Sequence, residues 1–309
     1  MRILVLLFLS IILNFPGAFA SNKVMGEYCD VILKKTKHPV TQNLVKSYFD
    51  LSLAVKGLDN LPRALRPQSF IYILDELNLG DQERLTTSIY GIINGEASGG
   101  DPEILSKVQA LDDSVKEFKR KHKRGVKLAL ENHDGKGQTY GDKPYSTHLR
   151  KVRSILKRFG YGPRNSLLGL RLGTAAWLHD IIEDTGISIE VLIEAVGEDI
   201  ASIVMNLTNE PHKEGVSQEE RKRITFMRVA SRPESRIIKL ADRIANVEES
   251  LTNKFLGGVS KIEKYNEEWP SFEKHIRKPG EAEEMWTHLE RLLTDEAYAR
   301  WFVLYRITT

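Results

Sequence analysis

The run Thr174–Thr185 sets four ionisable side chains, His179, Asp180, Glu183 and Asp184, inside an otherwise apolar stretch. Residues four apart on a helix lie one above the other. A continuous helix here would stack His179 on Glu183 and Asp180 on Asp184, on one face. Three carboxylates that close raise one another's pKa unless a cation sits among them. Ala175, Ala176, Leu178, Ile181 and Ile182 would anchor the frame in a core. Two other segments carry matching chemistry: His148, opening the helical stretch 149–159, and Asp242, within Lys239-Leu240-Ala241-Asp242-Arg243-Ile244-Ala245-Asn246. Two imidazoles and two carboxylates form a mixed N/O set suited to a divalent transition ion. With both histidines neutral, the two aspartates balance a 2+ charge.

The ordered set His148, His179-Asp180 and Asp242 resembles the HD-domain metal phosphohydrolases. More narrowly, His-Asp-Ile-Ile-Glu-Asp-Thr and Lys-Leu-Ala-Asp-Arg-x-x-Asn are similar to the hydrolase domain of RelA/SpoT homologues, over roughly residues 121–275. The resemblance implies an all-α HD-domain helical bundle that binds Mn²⁺, or another divalent transition metal, and removes the 3′-pyrophosphate from (p)ppGpp. By position it implies His148, His179, Asp180 and Asp242 as metal ligands. Glu183 and Asp184 match the pair around the attacking water, and Asn246 matches a residue lining the nucleotide pocket. On spacing, Glu183 is placed to take or steer a proton, with Asp184 assisting. Lys239 and Arg243 form the column beside Asp242 and Asn246 and could neutralise phosphate oxygens. Arg243 could equally lock a structural salt bridge.

Periodicity supplies the elements that must position these groups. Helical patterns run over 104–132, 149–159, 188–196, 199–207, 218–230 and 234–250, with a glycine-rich loop at 133–143. The aromatic-rich end, 256–309, reads as core and cap. Upstream, 43–55, 70–77 and 83–93 are helical but hold no chemical motif, so residues 21–100 read as an N-terminal helical extension of a catalytic domain at 101–309. A connector is expected at 60–68 and a linker at 96–102, around Gly99-Gly100.

The 309 residues, 28% charged and 41% hydrophobic, fit an ordinary globular chain, and a net charge of +3 gives no reason to expect nucleic-acid or membrane binding. The strongest basic run, Lys119–Arg124, lacks interleaved aromatics and reads as a solvated helix face paired with Asp112, Asp113 and Glu117. Residues 1–20 differ: Met1-Arg2, an apolar core from Ile3 to Phe15 and Ala18-Phe19-Ala20 describe a cleavable signal peptide. The expected location is therefore secreted or periplasmic, with no stable membrane span after cleavage. Cys29 is the one cysteine, so no internal disulfide can form.

Two departures from the resembled pattern bear on substrate. Gly137-Gln138 is followed by Thr139 and Tyr140, where the family often has an arginine that helps hold the nucleotide. Lys136 or Lys143 could supply that charge, and Tyr140 could stack on a base. Glu249 stands where a hydroxyl residue is common. His133, in a loop, reads as polar surface. The reading that follows is a metal-dependent phosphohydrolase acting on a phosphorylated nucleotide such as (p)ppGpp. The alternative is an exported nucleotide-binding or interaction protein on a decayed hydrolase frame.

Overall fold

The computed structural model describes residues 33, 38–54, 67–94, 101–162, 166–212 and 214–308. The segment 1–20 and Cys29 lie outside them, as do most of the expected connector at 60–68 and linker at 96–102. Among the described residues the chain is helical apart from one two-stranded hairpin, and no helix is long and apolar enough to cross a membrane. Two compact units divide after Glu117.

The first unit contains α1 (Pro39–Ala54), α2 (Pro67–Glu76), α3 (Leu79–Ile93) and the first half of α4 (Pro102–Asn132). Leu44, Val45, Tyr48 and Leu51 of α1 pack with Phe70, Ile73, Leu85, Ile89, Ile104 and Val108. Tyr48 stacks on Phe70 at 3.9 Å, and the Asn78 side chain caps α3 by accepting from the Asp81 N–H.

The second unit begins in α4 and continues through the hairpin β1 (Thr139–Tyr140) and β2 (Lys143–Pro144). Then follow α5 (Ser146–Arg158), α6 (Leu167–Leu178), α7 (Ile181–Thr185), α8 (Ile189–Val196), α9 (Glu198–Leu207) and α10 (Gln218–Ala230). The unit closes with α11 (Pro233–Phe255), α12 (Ile262–Ile276), α13 (Glu283–Thr294) and α14 (Glu296–Thr308). Helix α11 is the axis of this bundle. Ile237, Ile238, Leu240, Ala241, Ile244, Ala245 and Val247 are buried on it, and α5, α6, α9, α10, α12, α13 and α14 all pack against it. Pro233 at its first turn suits a position whose N–H has no helical acceptor. Gly125 lets α4 approach closely: a Cβ there would lie 3.1 Å from each of Leu178, Thr174 and Val196.

Two expectations are corrected. The basic run of α4 is not simply a solvated face. His122 Nδ1 sits 3.0 Å from Thr174 Oγ1, and Arg124 donates to the Ala195 carbonyl at 2.7 Å. Thr174–Thr185 is not one helix either: α6 ends at Leu178, His179 and Asp180 form a turn, and α7 restarts at Ile181. Asp180, at φ −104°, ψ 0°, makes the break.

Candidate metal centre

That break decides where the acids point. The His179 Nδ1 lies 2.9 Å from the Ala176 carbonyl, which can only accept, so Nδ1 carries a proton and Nε2 is the nitrogen turned inward. Helix α5 brings His148 to the same place, with the two Nε2 atoms 3.3 Å apart. Helix α11 adds Asp242, whose Oδ1 lies 3.2 Å from His148 Nε2 and 3.8 Å from His179 Nε2. Asp180 Oδ2 stands 2.8 Å from His179 Nε2 and 3.7 Å from His148 Nε2. Donors about 2.1 Å from one ion are separated by roughly 3.0 Å at a right angle and roughly 3.4 Å in a tetrahedron. The observed separations bracket those values. His148, His179 and Asp242 alone, all buried, have ligand atoms within 4.8 Å of one another. The donor set fits a divalent cation in distance, charge and chemistry.

The electrostatics agree. Burial disfavours ionisation of Asp180, yet the neighbouring His179 imidazole outweighs it and holds the carboxyl well below its ordinary value. Burial likewise opposes charge on Asp242, and Lys239, His148 and His179 together depress its pKa strongly. Burial also resists charge on His179, but Asp180 and Asp242 override it and hold a proton on the imidazole well above pH 6.5. Without a metal, a proton therefore supplies positive charge where the donors converge. Outer partners orient the ligands: Tyr145 donates to Asp180 Oδ2 at 2.6 Å and the Asn246 amide to Asp242 Oδ1 at 2.7 Å.

The remaining candidates each have partners of their own. Glu183 is exposed and accepts from Asn209 Nδ2 at 2.8 Å; Asp184 is exposed and accepts from Gln138 Nε2 at 2.9 Å. Tyr145 lies against both Asp180 and Asp184, so these two carboxylates share a neighbour, while Glu183 is drawn to Asn209. Asn246 has both ends of its amide engaged, accepting from Tyr140 as well as donating to Asp242. Lys239 Nζ is 3.4 Å from Asp242 Oδ2. Arg243 is committed to structure: it pairs with Glu268 at 2.8 Å and covers the rings of Tyr265 and Phe272. Lys143 lines a cavity of about 410 Å³ with Tyr140, Thr147, Arg150, Lys151, Arg158 and Arg306. Glu248 and Glu249 are its acids. Glu249 is neutralised by Lys151 at 2.7 Å, and Glu248 by Arg158 and Arg306, with His288 Nε2 3.0 Å from its Oε1.

Three site residues escaped their sequence reading. His133 is fully buried, not surface; it stacks on Tyr145 at 4.6 Å, and its Nδ1 lies 2.6 Å from Gln138 Oε1. Tyr145, which no spacing in the sequence marks, donates to the ligand Asp180. Tyr140 lies against His148, ring centroids 4.8 Å apart, a contact its place in the sequence does not signal. The available signal was the aromatic and amide content of the loop leading into His148.

No family model matches the chain. A probable GTP pyrophosphokinase of Mycobacterium leprae is 34% identical over 128 residues, which is 40% of this chain and 15% of that protein. The guanosine-3′,5′-bis(diphosphate) 3′-pyrophosphohydrolase of Drosophila melanogaster is 31% identical over 111 residues, 36% of this chain and 58% of that one. The chain thus spans under two thirds of the length of either relative. A solved structure described as a metazoan orthologue of SpoT that hydrolyses ppGpp aligns with a TM-score of 0.44 at 22% identity, covering 56% of this chain and 96% of that one.

Proposed function

We propose that this chain, of the RelA/SpoT-type HD-domain family, is a metal-dependent phosphohydrolase acting on a phosphorylated nucleotide of the (p)ppGpp type. One observation carries the reading: donor atoms of His148, His179, Asp180 and Asp242, from three separate segments, converge with neighbouring separations of 2.8 to 3.8 Å. These four residues would hold the ion, with Mn²⁺ the first candidate. When bound, such an ion polarises a phosphoryl oxygen and makes water more acidic.

The chain's own groups do the rest. Asp180 and Asp242 stay ionised at neutral pH, as a cation requires. Glu183 and Asp184, exposed one turn beyond the ligands, are the proposed proton acceptors for an attacking water. The basic cavity lined by Lys143 and Arg150 suits the anionic body of the substrate. Asn246 and Lys239 would act there by way of Asp242, and Arg243 through the packing of α11 on α12. We further propose that the protein works outside the cytoplasm, which fractionation of a tagged full chain tests directly.

The deciding experiment incubates purified protein and Mn²⁺ with ppGpp and with a panel of other nucleotides and phosphate esters. Release of pyrophosphate from ppGpp, lost in His179→Ala, is the expected result. Hydrolysis of other panel members alone would keep the phosphohydrolase and remove the alarmone. No turnover of any compound by a metal-loaded protein would leave the binding-protein alternative. That alternative draws on the engagement of Glu183 and Asp184 with Asn209 and Gln138.

A further inference from the structure

The two histidines of the centre are held in unlike ways. His179 is locked by its Nδ1–H bond to the Ala176 carbonyl. The Nδ1 of His148 is buried and has no protein partner, so no hydrogen bond on that side fixes the ring. Its orientation rests on packing. Tyr140 lies over one face of the imidazole, 4.8 Å between centroids and 25° between planes, and Tyr145 meets it nearly edge-on at 5.7 Å.

Tyr140 is itself fixed at its far end. Its hydroxyl donates to Asn246 Oδ1 at 2.9 Å, which obliges the Asn246 amide to turn its Nδ2 toward Asp242 Oδ1, 2.7 Å away. One side chain thus reaches two ligands on two helices: His148 on α5 by stacking, and Asp242 on α11 through an amide. The hairpin that carries it is tied down on both sides. Tyr140 pairs with Lys143 and Thr139 with Pro144, the Tyr145 N–H closes on the Gln138 carbonyl at 3.1 Å, and the Gln138 side chain bridges His133 and Asp184.

We infer that Tyr140 is a positioning residue for the metal centre, presetting His148 and Asp242 from outside the ligand set. The inference rests on the metal-site reading above and adds to it a residue that contributes no ligand atom. The hydroxyl and one ring face of Tyr140 are thus both turned to the centre. Groups of this kind change metal affinity or activity about 10- to 100-fold when removed.

Calorimetric titration of Mn²⁺ into metal-free protein tests it, alongside the melting temperature of the same samples. Tyr140→Phe keeps the stack and loses the link to Asn246, so Mn²⁺ should bind about 10-fold more weakly with the metal-free melting temperature unchanged. Tyr140→Leu loses both and should approach 100-fold. In an Asn246→Ala background the link is already cut, so Tyr140→Phe should add nothing there; a merely structural tyrosine would not show this non-additivity. Affinities within twofold of wild type for both Tyr140 variants would overturn the inference. Wild type and His179→Ala binding Mn²⁺ equally would instead sink the metal-site reading itself.

Discussion

Asp242→Asn isolates the charge of one ligand while keeping its shape. The side chain is 12% exposed and belongs to a set in which two carboxylates offset a 2+ ion. An asparagine can still accept from Asn246, so the main loss is one negative charge in a buried site. Removing one partner from a buried charge pair costs about 3–5 kcal/mol, because the other charge is left uncompensated. At about 1.4 kcal/mol per decade, Mn²⁺ affinity should fall by two to nearly four orders of magnitude. The metal-free protein should respond as well. The His179 pKa is raised above 6.5 partly by Asp242, so its contribution to stability is present below pH 6.5 and fades as pH rises through the folded value. Asp242→Asn should shrink that fading, and the His179 titration followed by NMR should move down. Calorimetry after chelator treatment reads the affinity. Mn²⁺ binding within threefold of wild type, with an unmoved His179 titration, would refute the reasoning.

Glu183→Gln should leave Mn²⁺ affinity intact, since Glu183 is held by Asn209 rather than by the four ligands, while turnover in a ppGpp assay falls by about 10²–10⁴. Glu248→Ala should be strongly destabilising, because Glu248 is buried among Arg158, His288 and Arg306. A loss of about 3–5 kcal/mol lowers the melting temperature by roughly 6–20 °C for a unit of this size. His122 is held at about 4 by burial, with Arg153 assisting. A depressed histidine favours the fold above pH 6.5 and loses that contribution as pH falls from 6.5 toward 4, because the unfolded chain binds the proton first. The contribution is at most about 3 kcal/mol. His122→Gln should flatten the stability–pH slope in that window, measured by denaturant unfolding.

Residue types and local period were enough to read a helical chain, since apolar spacing of three and four along α4, α5 and α11 depends on neighbours alone. His148, His179, Asp180 and Asp242 were legible as well, because their order and flanking motifs resemble the HD-domain phosphohydrolases and their charges balance a 2+ ion. Direction was another matter. The same i,i+4 rule that predicts a helix over 174–185 cannot see that the chain turns at His179–Asp180, nor that Asn209 and Gln138 engage Glu183 and Asp184. His133, Tyr140 and Tyr145 looked like loop residues because their partners, Gln138 apart, are remote: Tyr140 meets Asn246 106 positions away, and Tyr145 meets Asp180 35 positions away. Arg243 could face phosphate or Glu268 until α12 was seen lying against α11. Sequence settled which groups could hold a cation; only the packing of α5, α6 and α11 around one point settled that they meet there, because side-chain direction across helices depends on crossing geometry that no local period encodes.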